Sequence, residues 1–67
     1  MTTQKRVGMK IKRLRTDRAM SQEALAQKAG ISREYVARLE GGHHDPSLST
    51  LMKLAKALKV KVGELLE

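Results

Sequence analysis

The apolar residues of this chain recur at intervals of three and four positions, which is the period of an α-helix. The longest such series consists of Leu48, Leu51, Leu54, Ala55 and Leu58. Alternation of apolar and polar residues, which would indicate a β-strand, is missing from the sequence, and its single proline is at position 46. This pattern predicts an all-α fold.

Capping residues divide the helical pattern into segments. Ser21 and Ser32 each precede an apolar series, and each can accept a hydrogen bond from a free amide of the first turn. Gly30 and the pair Gly41-Gly42 follow such series and end helices. The sequence therefore predicts five helices, at about residues 4–18, 22–29, 33–40, 48–58 and 62–66.

The fifth of these helices has weak end signals. Gly63 lies inside it, and Lys61 stands where a capping Ser or Asp would be expected. Leu65 is expected to pack back on the core. Three methionines are expected to fill gaps in that core: Met9, Met20 and Met52.

Length and composition fit a single domain over residues 1–67, with 40% apolar and 31% charged residues. No uncharged apolar run has the length of a transmembrane helix or of the core of a signal peptide, so neither is expected. The chain has no cysteine, which excludes disulfides and agrees with a cytoplasmic location.

The charge is strongly positive, at +7, and it is concentrated near the amino terminus. Residues 1–18 contain seven lysines and arginines and only one acidic residue. A basic surface of this kind favours a nucleic acid as the partner, or less often an acidic membrane. The alternative is a solvated helix surface that is basic for solubility.

The spacing of Ala26, Gly30 and Val36 indicates how the second and third helices meet. Gly30 can adopt the positive φ of a tight turn, and the small Ala26 allows close approach to Val36 on the next helix. This spacing is typical of a helix-turn-helix, although an ordinary pair of antiparallel helices is an alternative.

The stretch SQEALAQKAGISREYVARLEGGHHDPSLSTLMKLAKAL resembles the XRE-type helix-turn-helix family of phage Cro and the lambda/434 repressors. The resemblance extends from Val7 to Leu66. It implies a compact five-helix, lambda-repressor-like DNA-binding domain with the helix-turn-helix at helices 2 and 3. It also implies a transcription regulator of a prokaryote or phage, associated with the nucleoid, that binds a palindromic operator as a homodimer.

In this geometry the recognition helix, residues 32–40, lies in the major groove. Positions 33, 34, 37 and 38 share the face opposite Val36 and Leu39. Each arginine on that face can bind guanine with two hydrogen bonds, and the glutamate can accept from cytosine. The expected base contacts are Ser32, Arg33, Glu34, Ala37 and Arg38. A solvent-exposed Glu34–Arg38 ion pair is the alternative interpretation.

The resemblance also suggests which residues contact the DNA backbone and which hold the domain together. The expected phosphate contacts are Gln22, Tyr35, Arg15, Gly42 and His43, the last two through backbone amides of the loop that starts at Gly41. For Tyr35, packing at the edge of the core is an equal alternative. Arg15 is expected to form a partly buried ion pair with Glu40, and two unrelated surface charges are the alternative.

The remaining expectations concern partners and chemistry. Val62, Leu65 and Leu66 are expected to form the dimer interface. No nucleophile and base are placed together, so an enzyme is not expected. Adjacent His43 and His44 lack further ligands at metal-binding spacing, so no metal or other cofactor is expected, and neither is a small-molecule ligand. The alternative function is an antitoxin-like protein-interaction module of the same fold, and a role at a membrane surface ranks third.

Overall fold

A computed structural model describes residues 3–67, and in this range the chain consists of helices and the turns between them. The helices are α1 (Thr3–Asp17), α2 (Gln22–Ala29), α3 (Arg33–Glu40), α4 (Leu48–Leu58) and α5 (Val62–Leu65). The predicted all-α, five-helix fold is confirmed. The bounds of α2, α3 and α4 coincide with the expected ones, whereas α1 lies one residue earlier and α5 ends one residue earlier.

All five helices contribute to one apolar core. Its fully buried members are Ile11, Leu25, Val36, Leu39, Leu54, Leu58 and Leu65. Around them, Leu14, Tyr35 and Ala57 pack at the edge. Among residues 3–67, no helix combines the length and the apolar character needed to cross a bilayer.

Three apolar residues that the sequence assigned to the core lie at the surface instead. Met9 is 56% exposed, Met52 is 55% exposed and Leu48 is 65% exposed. Met9 is two positions from the buried Ile11, so at 3.6 residues per turn it lies on the opposite side of α1. Leu48 is the first residue of α4 and precedes the packed part of that helix. Met20 does pack against the core, as expected.

Four of the helices end with the same backbone arrangement, in which a residue with positive φ closes the last turn. These residues are Ala19, Gly30, Gly42 and Lys59. After α2, the amide of Ile31 donates to the carbonyl of Ala26 and that of Gly30 to Gln27, which is the Schellman pattern. Gly30, at φ 72°, therefore has the conformation expected for the turn between α2 and α3.

Gly8 sets the distance between α1 and α3. It is buried, and a Cβ at this position would overlap the carbonyl oxygen of Leu39 and crowd the backbone of Glu40. Only a glycine leaves room for the end of α3 to lie this close to α1. The sequence did not reveal this role, because Gly8 lies beside Val7 in an otherwise ordinary helical pattern.

An ion pair joins the same two helices. Arg15 of α1 donates through Nε to Glu40 Oε2 at 2.6 Å and through Nη2 to Glu40 Oε1 at 3.0 Å. The two side chains are only 11% and 4% exposed. Hydrogen bonding to Glu40 raises the pKa of the Arg15 guanidinium, so this group stays charged across the physiological pH range.

Gly8→Ala is expected to destabilise the protein by about 1–3 kcal/mol, because the added methyl group forces α1 and α3 apart. Gly63→Ala is the matched control: it lies in α5 and has open space where its Cβ would be, so it should gain about 0.5–1 kcal/mol. Urea unfolding followed by circular dichroism measures both values. Equal effects of the two substitutions would show that the packing of α1 against α3 does not require a glycine at position 8.

Glu40→Ala is expected to lower the free energy of unfolding by about 3 kcal/mol or more, because it leaves the Arg15 charge buried without its partner. Asp17→Ala is the control, since it removes the partner of Arg13 in an exposed pair at 4.0 Å. That loss should stay within about 0.5 kcal/mol. Similar urea midpoints for the two variants would contradict a stabilising role of the internal pair.

Candidate nucleic-acid interface

Helix α3 is apolar on one side and charged on the other. Val36 and Leu39 are buried against the core, whereas Arg33, Glu34 and Arg38 are exposed. We call these three exposed residues the polar strip. No residue of the described part of the chain pairs with any of them, so the Glu34–Arg38 ion pair is not formed. The strip is therefore free to bind an external partner.

Two smaller residues border the polar strip. The hydroxyl oxygen of Ser32 accepts a hydrogen bond from the amide of Tyr35 at 3.1 Å and so caps α3. Its hydroxyl hydrogen can still be donated to an acceptor outside the protein. Ala37 lies within the helix and is half-buried. Both residues are thus adjacent to the strip, as the sequence pattern suggested.

The first turn of α2 offers backbone donors beside α3. Ser21 Oγ accepts from the amide of Ala24 at 2.9 Å. The amides of Gln22 and Glu23 belong to the same first turn, where helix geometry provides no intrahelical acceptor. Such amides, together with the positive end of the helix dipole, form a binding position for a phosphate.

The side chain of Gln22 is fixed by the ion pair between α1 and α3. Its Nε2 donates to Glu40 Oε1 at 3.0 Å, and that oxygen also accepts from Arg15. A side-chain amide has two N–H groups, so the second one remains for a phosphate. Sequence reasoning missed this contact, because residues 18 positions apart on different helices share no periodic pattern.

Arg15 forms the expected ion pair with Glu40 and uses three of its five N–H groups inside the protein, so its phosphate contact stays a prediction that depends on the other two. Nε and Nη2 bind Glu40, and Nη1 donates to the carbonyl of Met20 at 2.7 Å. Every nitrogen of the guanidinium group is thus engaged inside the protein, and the side chain is 11% exposed. Arg15 thus connects α1 to the end of α3 through Glu40 and to the loop before α2 through the carbonyl of Met20.

The loop after α3 also departs from the expected phosphate contacts. The amide of Gly42 donates to Leu39 at 3.1 Å and the amide of His43 donates to Arg38 at 3.0 Å. Both amides therefore close the end of α3 instead of facing outward, and Gly41 donates to Ala37 in the same way. Of the groups expected to contact a phosphate in this loop, the amides of Gly42 and His43 are engaged, and the side chain of His43 is exposed.

Tyr35 lies at the edge of the core, which was the alternative for this residue. Its ring is half-buried and meets the edge of the His44 ring at a centroid distance of 4.8 Å. Its hydroxyl lies 3.5 Å from Thr50 Oγ1, which is a long hydrogen bond. In this position the hydroxyl lies beside α4, and its contact with a phosphate stays a prediction.

At the carboxyl end, the residues expected to form a dimer interface separate into two groups. Leu65 is 1% exposed because it packs into the core of its own chain, so its assignment to an interface is wrong. Leu66 is 54% exposed and Val62 is half-buried.

The residues that the structure describes contain no group of three His, Cys, Asp or Glu side chains that could hold a metal ion.

A family model described as helix-turn-helix matches residues 11–65 of this chain. The immunity repressor protein of Bacillus phage phi105 is 46% identical over 57 residues, which are 85% of this chain and 40% of the repressor. The chain thus spans less than half of that relative. The HTH-type transcriptional regulator y4dJ of Sinorhizobium fredii is 38% identical over 65 residues, covering 97% of this chain and 84% of the regulator.

The fold is also similar to a solved structure. The restriction-modification controller protein C.AhdI from Aeromonas hydrophila superposes with a TM-score of 0.91 at 39% identity, and the match covers 92% of this chain and 94% of that one. The family model, the relatives and the solved structure agree on a helix-turn-helix protein. This chain belongs to the XRE-type helix-turn-helix family.

Proposed function

We propose that this chain is a small transcription regulator that binds double-stranded DNA sequence-specifically, with α3 in the major groove. The observation that carries the proposal is the polar strip on α3. A helix that is held in the core by Val36 and Leu39 exposes three charged side chains, and none of them has a partner among residues 3–67. A major groove about 12 Å wide accepts such a helix.

The chemistry of the strip supports the reading of bases. Arg33 and Arg38 can each offer two parallel N–H donors to O6 and N7 of guanine. Glu34 accepts from the amine of cytosine, and near a phosphate its negative charge is unfavourable. Glu34 therefore favours binding in which α3 reaches the base edges over binding to the backbone alone.

Phosphates on one side of the groove would be held by the first turn of α2. The amides of Gln22 and Glu23 and the second N–H of the Gln22 side chain all lie at this position. Because the hydrogen bond from Gln22 to Glu40 joins this turn to the end of α3, the phosphate contacts and the base contacts keep a fixed distance from each other. Fixed backbone contacts set the register in which bases are read.

The names of the relatives support a regulatory role. One is a phage immunity repressor and one solved structure is a restriction-modification controller. We therefore propose that this chain is a repressor or controller of transcription. The antitoxin-like module has no observation in its favour, and the experiment below would detect it.

We further propose that the protein acts as a homodimer on a palindromic operator. Leu66 is more than half exposed, and Val62 on α5 is half-buried, so the carboxyl end presents apolar surface that a second copy could cover. Two copies related by a two-fold axis would place their α3 helices about 34 Å apart, one turn of the duplex.

Selection of bound oligonucleotides from a random pool tests the proposal directly. The expected result is enrichment of one symmetric motif with G·C pairs at the positions that face Arg33 and Arg38. Recovery of no motif, combined with binding that is equal for all sequences, would exclude sequence-specific regulation. A stable complex with a protein from the same operon and no affinity for DNA would favour the antitoxin-like module.

Arg33→Ala should weaken binding to the selected operator by about 1–3 kcal/mol and relax the preference at one base pair. Gln22→Ala is the matched comparison, because it removes a phosphate contact and should weaken operator and unrelated DNA by similar factors. Fluorescence anisotropy with both duplexes measures the four affinities. An equal loss on both duplexes for Arg33→Ala would show that this arginine contacts only the backbone.

Leu66→Glu should raise the concentration at which the protein dimerises and lower the cooperativity of operator binding, because it places a charge in the apolar contact. Met52→Glu is the control, because Met52 is an apolar residue of matching exposure (55% against 54%) on α4 and the change adds the same charge. Sedimentation velocity over a range of concentrations measures the dimer. An unchanged dimer constant would locate the interface elsewhere.

A further inference from the structure

Four lysines surround a shallow depression where the carboxyl ends of α2 and α4 lie side by side. They are Lys28, Lys53, Lys56 and Lys59, and we call them the lysine face. The floor of the depression includes Ala29, Gly30 and Ala57, and no acidic side chain lines it. An adjoining depression shares Lys28 and Lys59 and adds Arg18, which extends the positive surface.

The four lysines belong to segments about 25 residues apart in the sequence, so only the packing of α2 against α4 brings them together. All four are exposed, and among residues 3–67 none of them has an ion-pair partner. No acidic side chain of the described residues therefore neutralises the repulsion between them.

Stabilisation of helix ends accounts for only part of this charge. Each helix carboxyl end is equivalent to roughly −0.5 charge, so the ends of α2 and α4 together offset about one lysine. About three positive charges remain on the lysine face. A concentration of this size attracts a polyanion, and lysine ammonium groups bind phosphates as point charges.

The lysine face is close to the polar strip. Gly30 lines the depression, and Arg33 follows it by three residues, which can span at most about 11 Å. That distance is about one major-groove width. When Arg33 lies at the base edges, the Gly30 edge of the lysine face is therefore within about one groove width of them.

From this arrangement we propose that the lysine face binds the phosphates of the duplex that flanks the base pairs read by α3. The inference rests on the proposed function, and it adds a second backbone contact beyond the first turn of α2. If the lysine face binds this flanking duplex, the affinity of the protein depends on DNA in which no base is contacted. The binding site is thus longer than the sequence that it recognises.

The salt dependence of binding gives the quantitative test. Each phosphate that a cation neutralises contributes about 0.9 to the slope of log affinity against log salt. We compare a duplex that ends at the edges of the selected operator with one that extends about ten base pairs on each side. The protein should bind the longer duplex more tightly and with a steeper slope.

The triple variant Lys28→Gln, Lys53→Gln and Lys56→Gln should lose the advantage of the longer duplex. If all three lysines neutralise phosphates, the slope on the longer duplex falls by about 2.7 per protomer. The slope on the short duplex should be nearly unchanged. Thermal unfolding followed by circular dichroism checks that the exposed substitutions leave the fold intact.

A second triple variant removes the same charge from another surface. Arg6→Gln, Lys10→Gln and Arg13→Gln lie on the side of α1 that borders the carboxyl-terminal Glu67. This control should keep the dependence on duplex length. Equal effects of both triple variants would show that only net charge matters, and no effect of duplex length in the wild type would likewise overturn the proposal. Failure to bind even the short operator would instead refute the proposed function.

Discussion

The contact between Arg15 and Glu40 determines how the DNA-facing parts of this protein are arranged. Glu40 ends α3, Arg15 lies near the end of α1, and Gln22 begins α2, so one carboxylate joins three helices. Removing charges from water costs free energy, and this cost is offset here because both oxygens of the carboxylate accept hydrogen bonds. The close approach of α1 and α3 at Gly8 brings these groups within reach. The direction of the polar strip relative to the first turn of α2 follows from that packing.

Sequence periodicity predicted the features that depend on neighbours along the chain. Helix starts at Ser21 and Ser32 and the positive φ of Gly30 result from local hydrogen bonding, which the residue types themselves specify. The exposed side of α3 follows from the 3.6-residue period once Val36 and Leu39 are taken as buried. For this reason the fold and the polar strip could be predicted from the sequence.

Other features depend on which elements meet, and the sequence could not reveal them. Met9 and Leu48 have the hydrophobicity of core residues, but the packing of the helices leaves no neighbour over them. The amides of Gly42 and His43 were expected to face a phosphate, whereas both donate hydrogen bonds to carbonyls in the last turn of α3. Leu65 was likewise expected at an interface, whereas it packs into the core of its own chain. For the two amides and for Leu65, the error was to treat a group as free when a helix cap or the core already engages it.

The positively charged residues discussed above fall into three groups that differ in burial and in their partners. Arg15 is buried, and its planar guanidinium matches a carboxylate with two donors, which suits an internal contact of fixed geometry. Arg33 and Arg38 have the same chemistry but no ion-pair partner among residues 3–67, so their donors contribute little to folding and remain available to an outside partner. The lysine face consists of flexible point charges, which can follow a phosphate chain without requiring one geometry. A domain of 67 residues has little stability to lose. Because the polar strip and the lysine face lie outside the core, substitutions there are expected to cost little stability, whereas Arg15 and Glu40 hold α1 and α3 together.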